Sequence, residues 1–138
     1  MLFRSKDTDP AVGSISNTRL EGCRITGTKI LPALRINTGS NVSIRNNILE
    51  GPTGLSIESP KAYLKDTQIT GNQIQNCSAY GIQVVPVPSE GAFSNVVLSG
   101  NTITNCRVPV DLGGASGITY MPGAEEGQEM PWPARTDV

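Results

Sequence analysis

The residues of this chain that could carry out acid–base chemistry are its carboxylates, because the sequence contains no histidine. The absence of histidine excludes Ser-His-Asp and Cys-His nucleophiles, imidazole acid–base catalysis and histidine-ligated metal within this polypeptide. Glu58 and Asp111 become the candidate catalytic acids, since both fall on outward positions of the repeat described below. The alternative is that both are solvated surface acids.

A carboxylate pair that hydrolyses a glycosidic bond must be held at ~5–9.5 Å, with one group protonated and the other ionised. Glu58 and Asp111 lie two repeats apart, which implies a minimum of ~10 Å from strand spacing alone. Asp66, Glu50 and Glu58 supply oxygen atoms that suit calcium, but they lack the close regular spacing of a dedicated loop. We therefore expect no metal and no cofactor.

Length and composition point to one all-β domain. The 138 residues fit one compact domain, and a chain with 37% apolar, 17% charged and only 4% aromatic residues, rich in Ile, Val, Ser, Thr, Asn and Gly, favours strands and turns. A net charge of -1 and a pI near 5.4 argue against nucleic acid as a partner. No apolar run reaches the ~18 residues of a membrane span, and the N-terminus lacks the ~7–15-residue apolar core of a signal peptide.

Internal repeats identify the elements that position these residues. The segment Ile69-Thr-Gly-Asn-Gln-Ile-Gln-Asn-Cys77 recurs as Leu98-Ser-Gly-Asn-Thr-Ile-Thr-Asn-Cys106. The same frame is recognisable from Ile44, one residue shorter, and from Ile25, and each copy is followed by a second alternating strand. The copies begin 19, 25 and 29 residues apart, with most of the variation in the connectors.

Strand-length alternation with a period that varies only in its loops predicts a β-solenoid of about four coils. Coils stacked ~4.8 Å apart align equivalent side chains into interior rows. The predicted rows are Ile25, Ile44, Ile69 and Leu98; Ile30, Ile48, Ile74 and Ile103; and Leu34, Leu55, Ile82 and Val110.

Two further rows concern the corners between strands. Asn72 and Asn101 fall at a sharp bend, where Asn tolerates the left-handed conformation and its amide can bond to the next coil. We interpret them as a turn device, with an amide pair that binds a sugar as the alternative. Ala33, Gly51, Cys77 and Cys106 form the other row, of small residues, which would bring Cys77 and Cys106 within the ~4.4–6.8 Å Cα separation of a disulfide.

Residues between the apolar anchors of the second strand should point to solvent. They form the outward row Arg35, Ser56, Gln83 and Asp111, beside a row of Asn37, Glu58, Val85 and Gly113. Tyr63, Tyr80 and Phe93 flank the variable connectors, where an exposed ring could stack on a sugar. The candidate glycan-binding residues are therefore Arg35, Gln83, Tyr80 and Phe93, with capping of loop cores as the alternative role for the aromatic residues.

The I-x-x-N-x-I frame followed by G-I-x-V resembles the right-handed parallel β-helix of the pectin-lyase-like superfamily, over residues 12–113. That superfamily includes polysaccharide lyases, hydrolases, epimerases, bacterial surface proteins and phage tailspikes. The hydrolases carry a Gly-His-Gly segment that this chain cannot supply. The pectate lyases carry an R-x-P-x-x-R segment whose Arg abstracts a proton; Arg107-Val-Pro109 matches its start, but Leu112 stands where the second Arg belongs. The resemblance adds Arg107 as a third catalytic candidate.

The chain divides into an N-terminal extension at 1–11, the parallel β-helix at 12–113 and a Gly/Pro-rich acidic tail at 114–138. Val12 and Ile15 look like the last strand of an earlier coil. The apolar residues Ile118, Tyr120, Met130 and Trp132 predict that part of the tail folds over the last coil or docks on a neighbouring subunit, because an uncovered edge invites pairing. Disorder of the tail is the alternative.

These observations favour a non-catalytic β-helix module of a tailspike-like virion or cell-surface protein, structural or glycan-contacting. We expect a virion or extracellular location, a polysaccharide as partner, and a homo-oligomer such as a trimer. The alternative is a polysaccharide-active enzyme, or a fragment of one, that uses Glu58 and Asp111, or Arg107, as its acid–base groups.

Overall fold

The computed structural model describes residues 2–3, 15–36, 39–58, 64–85 and 93–127. Within these ranges the chain is all-β, and every strand pairing is parallel. The strands, in chain order, are β1 (Leu2–Phe3), β2 (Ile15–Glu21), β3 (Arg24–Thr26), β4 (Leu34–Ile36), β5 (Gly39–Arg45), β6 (Ile48–Glu50), β7 (Thr53–Ile57), β8 (Leu64–Thr70), β9 (Gln73–Val84), β10 (Phe93–Ser99), β11 (Thr102–Asp111), β12 (Ile118–Met121) and β13 (Glu125–Gly127).

Each coil of the solenoid contributes strands to three faces. The first face is a five-stranded sheet in the order β12-β10-β8-β5-β2. The second face consists of β3, β6, β13 and the first parts of β9 and β11, and the third face consists of β1, β4, β7 and the remaining parts of β9 and β11. The long strands β9 and β11 bend from one face to the next, so the second and third faces are joined in one hydrogen-bonded sheet. The predicted parallel β-solenoid is confirmed.

The interior row of the first face contains Ile44, Ile69 and Leu98 in register, as predicted. The first member of the row is Leu20 and not Ile25, because Leu20 pairs with Ile44. The true separations along this row are 24, 25 and 29 residues. The sequence frame placed Ile25 in this row because Cys23 stands at the corner position that Asn fills in later coils, so the first copy of the frame lacks its asparagine.

The interior row of the second face also differs from the prediction. Its members in register are Ile25, Leu49, Ile74 and Ile103. In the second coil the corner asparagine that matches the later ladder is Asn47 and not Asn46, so this coil is not one residue shorter than the others. Leu49 therefore takes the inward position, and Ile48 points outward. Ile30 lies in the β3–β4 loop with 84% of its surface exposed, and therefore belongs to no core row.

The interior row of the third face agrees with the prediction. Leu34, Leu55, Ile82 and Val110 are in register, and each is fully buried. These three rows form one continuous apolar core along the solenoid. Because alternate residues of a strand point to opposite sides, the register of this row also fixes the outward positions of the third face.

The corner between the first and second faces is held by a buried asparagine ladder, as predicted. Asn72 donates its backbone N–H (3.0 Å) and its Nδ2 (2.9 Å) to Asn101 Oδ1, and Asn47 makes the same two bonds to Asn72 Oδ1, at 3.0 Å each. The left-handed conformation, however, belongs to the preceding residue, which is Asn46, Gly71 or Gly100 with φ of 57–67°. The ladder side chains therefore satisfy buried polar groups and do not themselves relieve backbone strain.

The strands continue beyond the predicted ends of the repeat. Leu2 and Phe3 of β1 pair with Arg35 and Ile36, so they belong to the coil before the first complete one, while Ile15 begins a strand of the first face. At the other end β12 pairs with β10 and β13 pairs with β11, so residues 118–127 extend the stack as a fifth, partial coil. Val12, Met130 and Trp132 lie outside the described residues.

Candidate functional site

The third face carries the outward row that the sequence predicts. Arg35 pairs with Ser56, Ser56 with Gln83, and Gln83 with Asp111, so four consecutive coils present these side chains at one position. Neighbouring members are ~4.8 Å apart along the solenoid axis because that is the distance between paired strands. The row is a continuous polar strip, in which Ser56 is buried and the other three are half-buried.

Glu58 lies directly after β7 and joins this strip through its side chain. Its Oε2 is 2.5 Å from Arg35 Nε and accepts a hydrogen bond from Ser56 Oγ at 3.1 Å. Its backbone N–H donates to Ile36 O, and this hydrogen bond maintains the parallel register with the preceding coil. A substrate that bonded to Glu58 would compete with both Arg35 and Ser56. Asn37, predicted beside it, lies outside the described residues.

Asp111 ends β11, where its Oδ1 accepts a hydrogen bond from the backbone N–H of Gly113 at 2.9 Å. Two coil spacings separate Asp111 from the coil of Glu58, which places the two strands roughly 10 Å apart. This strand separation lies close to the upper limit of the ~5–9.5 Å range for a carboxylate pair that hydrolyses a glycosidic bond. Glu58 and Asp111 therefore stay candidate acids at the edge of that geometry.

Arg107 is exposed at the bend of β11, between Cys106 and Val108, where the register with β9 shifts. Leu112, which stands in the place of the second Arg of the lyase segment, is fully buried. The side chain at that position points into the core, so no substitution there would complete the lyase segment on the surface.

The aromatic candidates differ in exposure. Tyr80 is half-buried on the third face, in register with Thr53 and Val108, three residues before Gln83 on β9. Phe93 begins a strand of the first face and is only 5% exposed, which corrects the expectation that its ring could stack on a sugar. It packs in the core because Phe93 is in register with the buried Leu64. Tyr63 lies outside the described residues.

Cys77 and Cys106 are neighbours in register, and both are buried free thiols. The hydrogen bond between the two thiols and the desolvation of the site raise the pKa of Cys77 well above its ordinary value of 9.0. A buried thiol with a raised pKa is a poor nucleophile because the thiolate is the reactive form. The predicted row of small residues is brought together here: Gly51 lies against Ala33, and its backbone also forms a hydrogen bond with the Cys77 thiol, while Gly27 is a further neighbour of Gly51.

Among the described residues, no group of three or more Cys, Asp and Glu side chains is arranged to hold a metal ion. Within the same ranges, no helix has the length and apolar character needed to cross a membrane.

A polar groove on the first face was missed by the sequence analysis. It has a volume of 480 Å³ and is lined by Asn41, Asp66, Gln68, Asn95 and Val97. The residues lie more than 50 positions apart from first to last, and only the coil register brings them together. The available signal was the recurrence of Asn or Asp two residues into the first strand of each coil, which the repeat frame did not include.

Comparison with protein families adds to this geometry. Residues 4–120 match a family described as a right-handed beta helix region. The chain belongs to the right-handed β-helix family. The match covers most of the chain, and the coil architecture is consistent with the pectin-lyase-like superfamily. Comparisons with curated proteins and with solved structures gave no significant match.

Proposed function

We propose that this right-handed β-helix is a non-catalytic module of a tailspike-like virion or cell-surface protein, where it forms a rigid shaft and contacts a polysaccharide on its third face. The observation that carries the proposal is the outward strip of Arg35, Ser56, Gln83 and Asp111, in register over four coils. A straight row of polar groups at a constant ~4.8 Å spacing suits a linear ligand that runs parallel to the axis.

The contacts of the acidic residues support a binding role over a catalytic one. Glu58 is paired with Arg35 and Ser56, Asp111 caps the backbone of Gly113, and the two acids belong to coils two strand spacings, roughly 10 Å, apart. Acid–base catalysis on a glycoside requires two such groups to flank one bond. The strip instead offers guanidinium, hydroxyl and carboxamide groups, which recognise sugar hydroxyls and carboxylates by hydrogen bonding.

A binding assay with a matched pair of variants tests the ligand contact. Gln83 and Gln75 are both half-buried and belong to the same strand, but Gln83 lies on the third face and Gln75 on the second. Binding to a panel of acidic polysaccharides, measured by affinity electrophoresis, should weaken about tenfold in Gln83→Ala and stay unchanged in Gln75→Ala. Equal loss in both variants, or no binding by the original chain, would refute the contact.

The same panel tests the enzyme alternative. Incubation with and without calcium, followed by ultraviolet absorbance and reducing-end assays, should reveal no turnover. Turnover that disappears in Asp111→Asn or Arg107→Ala would replace the proposal with a polysaccharide-active enzyme. Genes for tail and capsid proteins on either side of this one would favour the virion location, and sugar-uptake genes would oppose it.

We extend the proposal to self-association, with a trimer as the expected form. In support, the β3–β4 loop presents Ile30 and Leu31, which are 84% and 49% exposed, and adjacent exposed aliphatic side chains favour contact with another surface. Sedimentation analysis of the full chain should show an oligomer. A monomer with full thermal stability would contradict this part of the proposal and leave the glycan contact untouched.

A further inference from the structure

The first face repeats one outward position in four successive coils, separate from the polar strip of the third face. At this position the backbone is left-handed, with φ between 50° and 54°, and the side chain is exposed. Asn and Asp are the non-glycine residues that adopt this conformation most readily. The four residues, one from each coil, are Asn17, Asn41, Asp66 and Asn95.

Hydrogen bonds join these side chains in pairs. Asn41 Nδ2 donates to Asn17 Oδ1 at 2.6 Å, and Asn95 Nδ2 donates to Asp66 Oδ1 at 3.0 Å. An ionised carboxylate has no N–H, so Asp66 cannot donate to the carboxamide oxygen of Asn41 on the preceding coil. The ladder is therefore interrupted between Asn41 and Asp66, where acceptor oxygens stand on neighbouring rungs about 4.8 Å apart.

The 480 Å³ groove opens over this interruption. Gln68, two residues beyond Asp66 on β8, adds a carboxamide that both donates and accepts, and Val97 on β10 adds an apolar wall. A ligand that fits this lining must supply donors to the two acceptors, accept a hydrogen bond from an amide, and offer some apolar surface. A sugar ring, with its hydroxyl groups and C–H faces, has this combination.

We propose that this groove is a second carbohydrate-binding site, specific for neutral oligosaccharides. Sugar hydroxyls donate to Asn41 Oδ1 and to the Asp66 carboxylate, while Gln68 Nε2 donates to a sugar oxygen. The rung spacing is close to the length of one sugar ring, so a chain parallel to the axis meets a new rung with each residue. Asp66 is the charged member of the described lining, and its negative charge disfavours acidic glycans.

Substitution of Asp66 distinguishes a loss of ligand binding from a loss of folding stability. Asp66→Asn tolerates the same left-handed backbone and restores a donor to Asn41 Oδ1, so it should keep or raise the melting temperature while it removes the charged acceptor. Asn105→Asp is the matched control: Asn105 is exposed and left-handed, with φ of 53°, and its Nδ2 donates to Asn76 Oδ1 at 2.9 Å in a ladder away from the groove.

The experiment titrates the isotopically labelled full chain with maltohexaose, cellohexaose and N-acetylchitohexaose, and with oligogalacturonate as the acidic counterpart, and follows amide signals by NMR. At least one neutral hexasaccharide should shift the side-chain amide signals of Asn41, Gln68 and Asn95 in a saturable manner. Its affinity should fall at least tenfold in Asp66→Asn and stay within twofold in Asn105→Asp.

Three outcomes would overturn the proposal: no saturable shift with any neutral sugar at millimolar concentration, undiminished affinity in Asp66→Asn, or saturable shifts of these residues with calcium chloride alone, which would indicate a cation site. Because the polar strip of the third face is tested with acidic polysaccharides and Gln83→Ala, failure of one site leaves the result for the other intact.

Discussion

Asn101 Oδ1 accepts two hydrogen bonds from Asn72, one from its backbone N–H at 3.0 Å and one from its Nδ2 at 2.9 Å. Both residues are buried, and Asn72 Oδ1 accepts the same two bonds from Asn47. One buried oxygen thus satisfies two donors of the preceding coil at a corner that water does not reach. Removal of this oxygen should therefore lower the free energy of unfolding.

Asn72→Ala should destabilise the chain by about 3 kcal/mol, because it leaves two donors of Asn47 without their acceptor and Ile44 O without its donor. Urea unfolding measures this difference. Asn105→Gly is the control, since it removes an exposed ladder bond but keeps a residue that tolerates a φ of 53°; it should cost less than about 1 kcal/mol. Equal losses in both variants would contradict a special role for the buried ladder.

Gly81→Ala should be among the most damaging single substitutions, costing about 3 kcal/mol or more. A Cβ at this position would lie 2.5 Å from Pro109 O and 2.7 Å from Ile103 Cγ2, so the next coil would have to move. Gly100→Asn is the control, because nothing lies within 4 Å of its Cβ position and Asn46 holds the equivalent place with φ of 57°. We expect thermal unfolding to show a change of less than about 1 kcal/mol for the control.

Thiol reactivity should distinguish Cys23 from the buried pair of Cys77 and Cys106. Cys23 is half-buried, whereas Cys77 and Cys106 are 1% and 0% exposed. Titration of the native chain with an aromatic disulfide reagent should therefore detect one reactive thiol, and titration after unfolding should detect all three. Cys23→Ser should abolish the reaction of the native chain. Rapid labelling of two or three thiols before unfolding would contradict the burial of the pair.

Stability should fall at alkaline pH through Cys77. Its pKa is raised in the folded state, so the unfolded chain loses this proton first as the pH rises above 9.0. The stabilisation by Cys77 is complete below that pH and decreases from about pH 8.5 to about pH 10; the pKa of Cys106 is lowered by its hydrogen bond with Cys77, so Cys106 offsets part of the decrease. Urea unfolding at both pH values measures the decrease, which should be smaller in Cys77→Ala and unchanged in Cys23→Ser. The same decrease in all three proteins would assign it to other groups.

The sequence predicted the solenoid because interior positions demand aliphatic side chains at every coil, and that demand survives variation in the connectors. It predicted the inward row and the first outward row of the third face, since Leu55 and Ile82 lie in alternating segments with a clear inward pattern. It misaligned the first coil because Cys23 replaces the ladder asparagine, and one substitution at a corner removed the strongest marker of the frame.

The side-chain contacts of the candidate sites could not be predicted from the sequence. The ion pair of Glu58 with Arg35 joins residues of different coils, and the outward rows constrain neither residue type nor rotamer. Likewise Phe93 is aromatic beside a connector, which is compatible with an exposed or a buried ring; only the packing of the first face decides that it is buried. Contacts between surface side chains involve two different coils, whereas the apolar repeat can be recognised in the sequence of each coil alone.

Every strand that the structure describes pairs only with strands of the coil before it or the coil after it. Each cooperative unit is therefore anchored by its two neighbours, and the terminal units by one. Backbone amides of β8 and β9 should exchange with deuterium last, and those of β2 and β12 first, so that protection decreases from the middle of the molecule toward both ends. A chain built in this way tolerates loss of an end coil far better than loss of a central one.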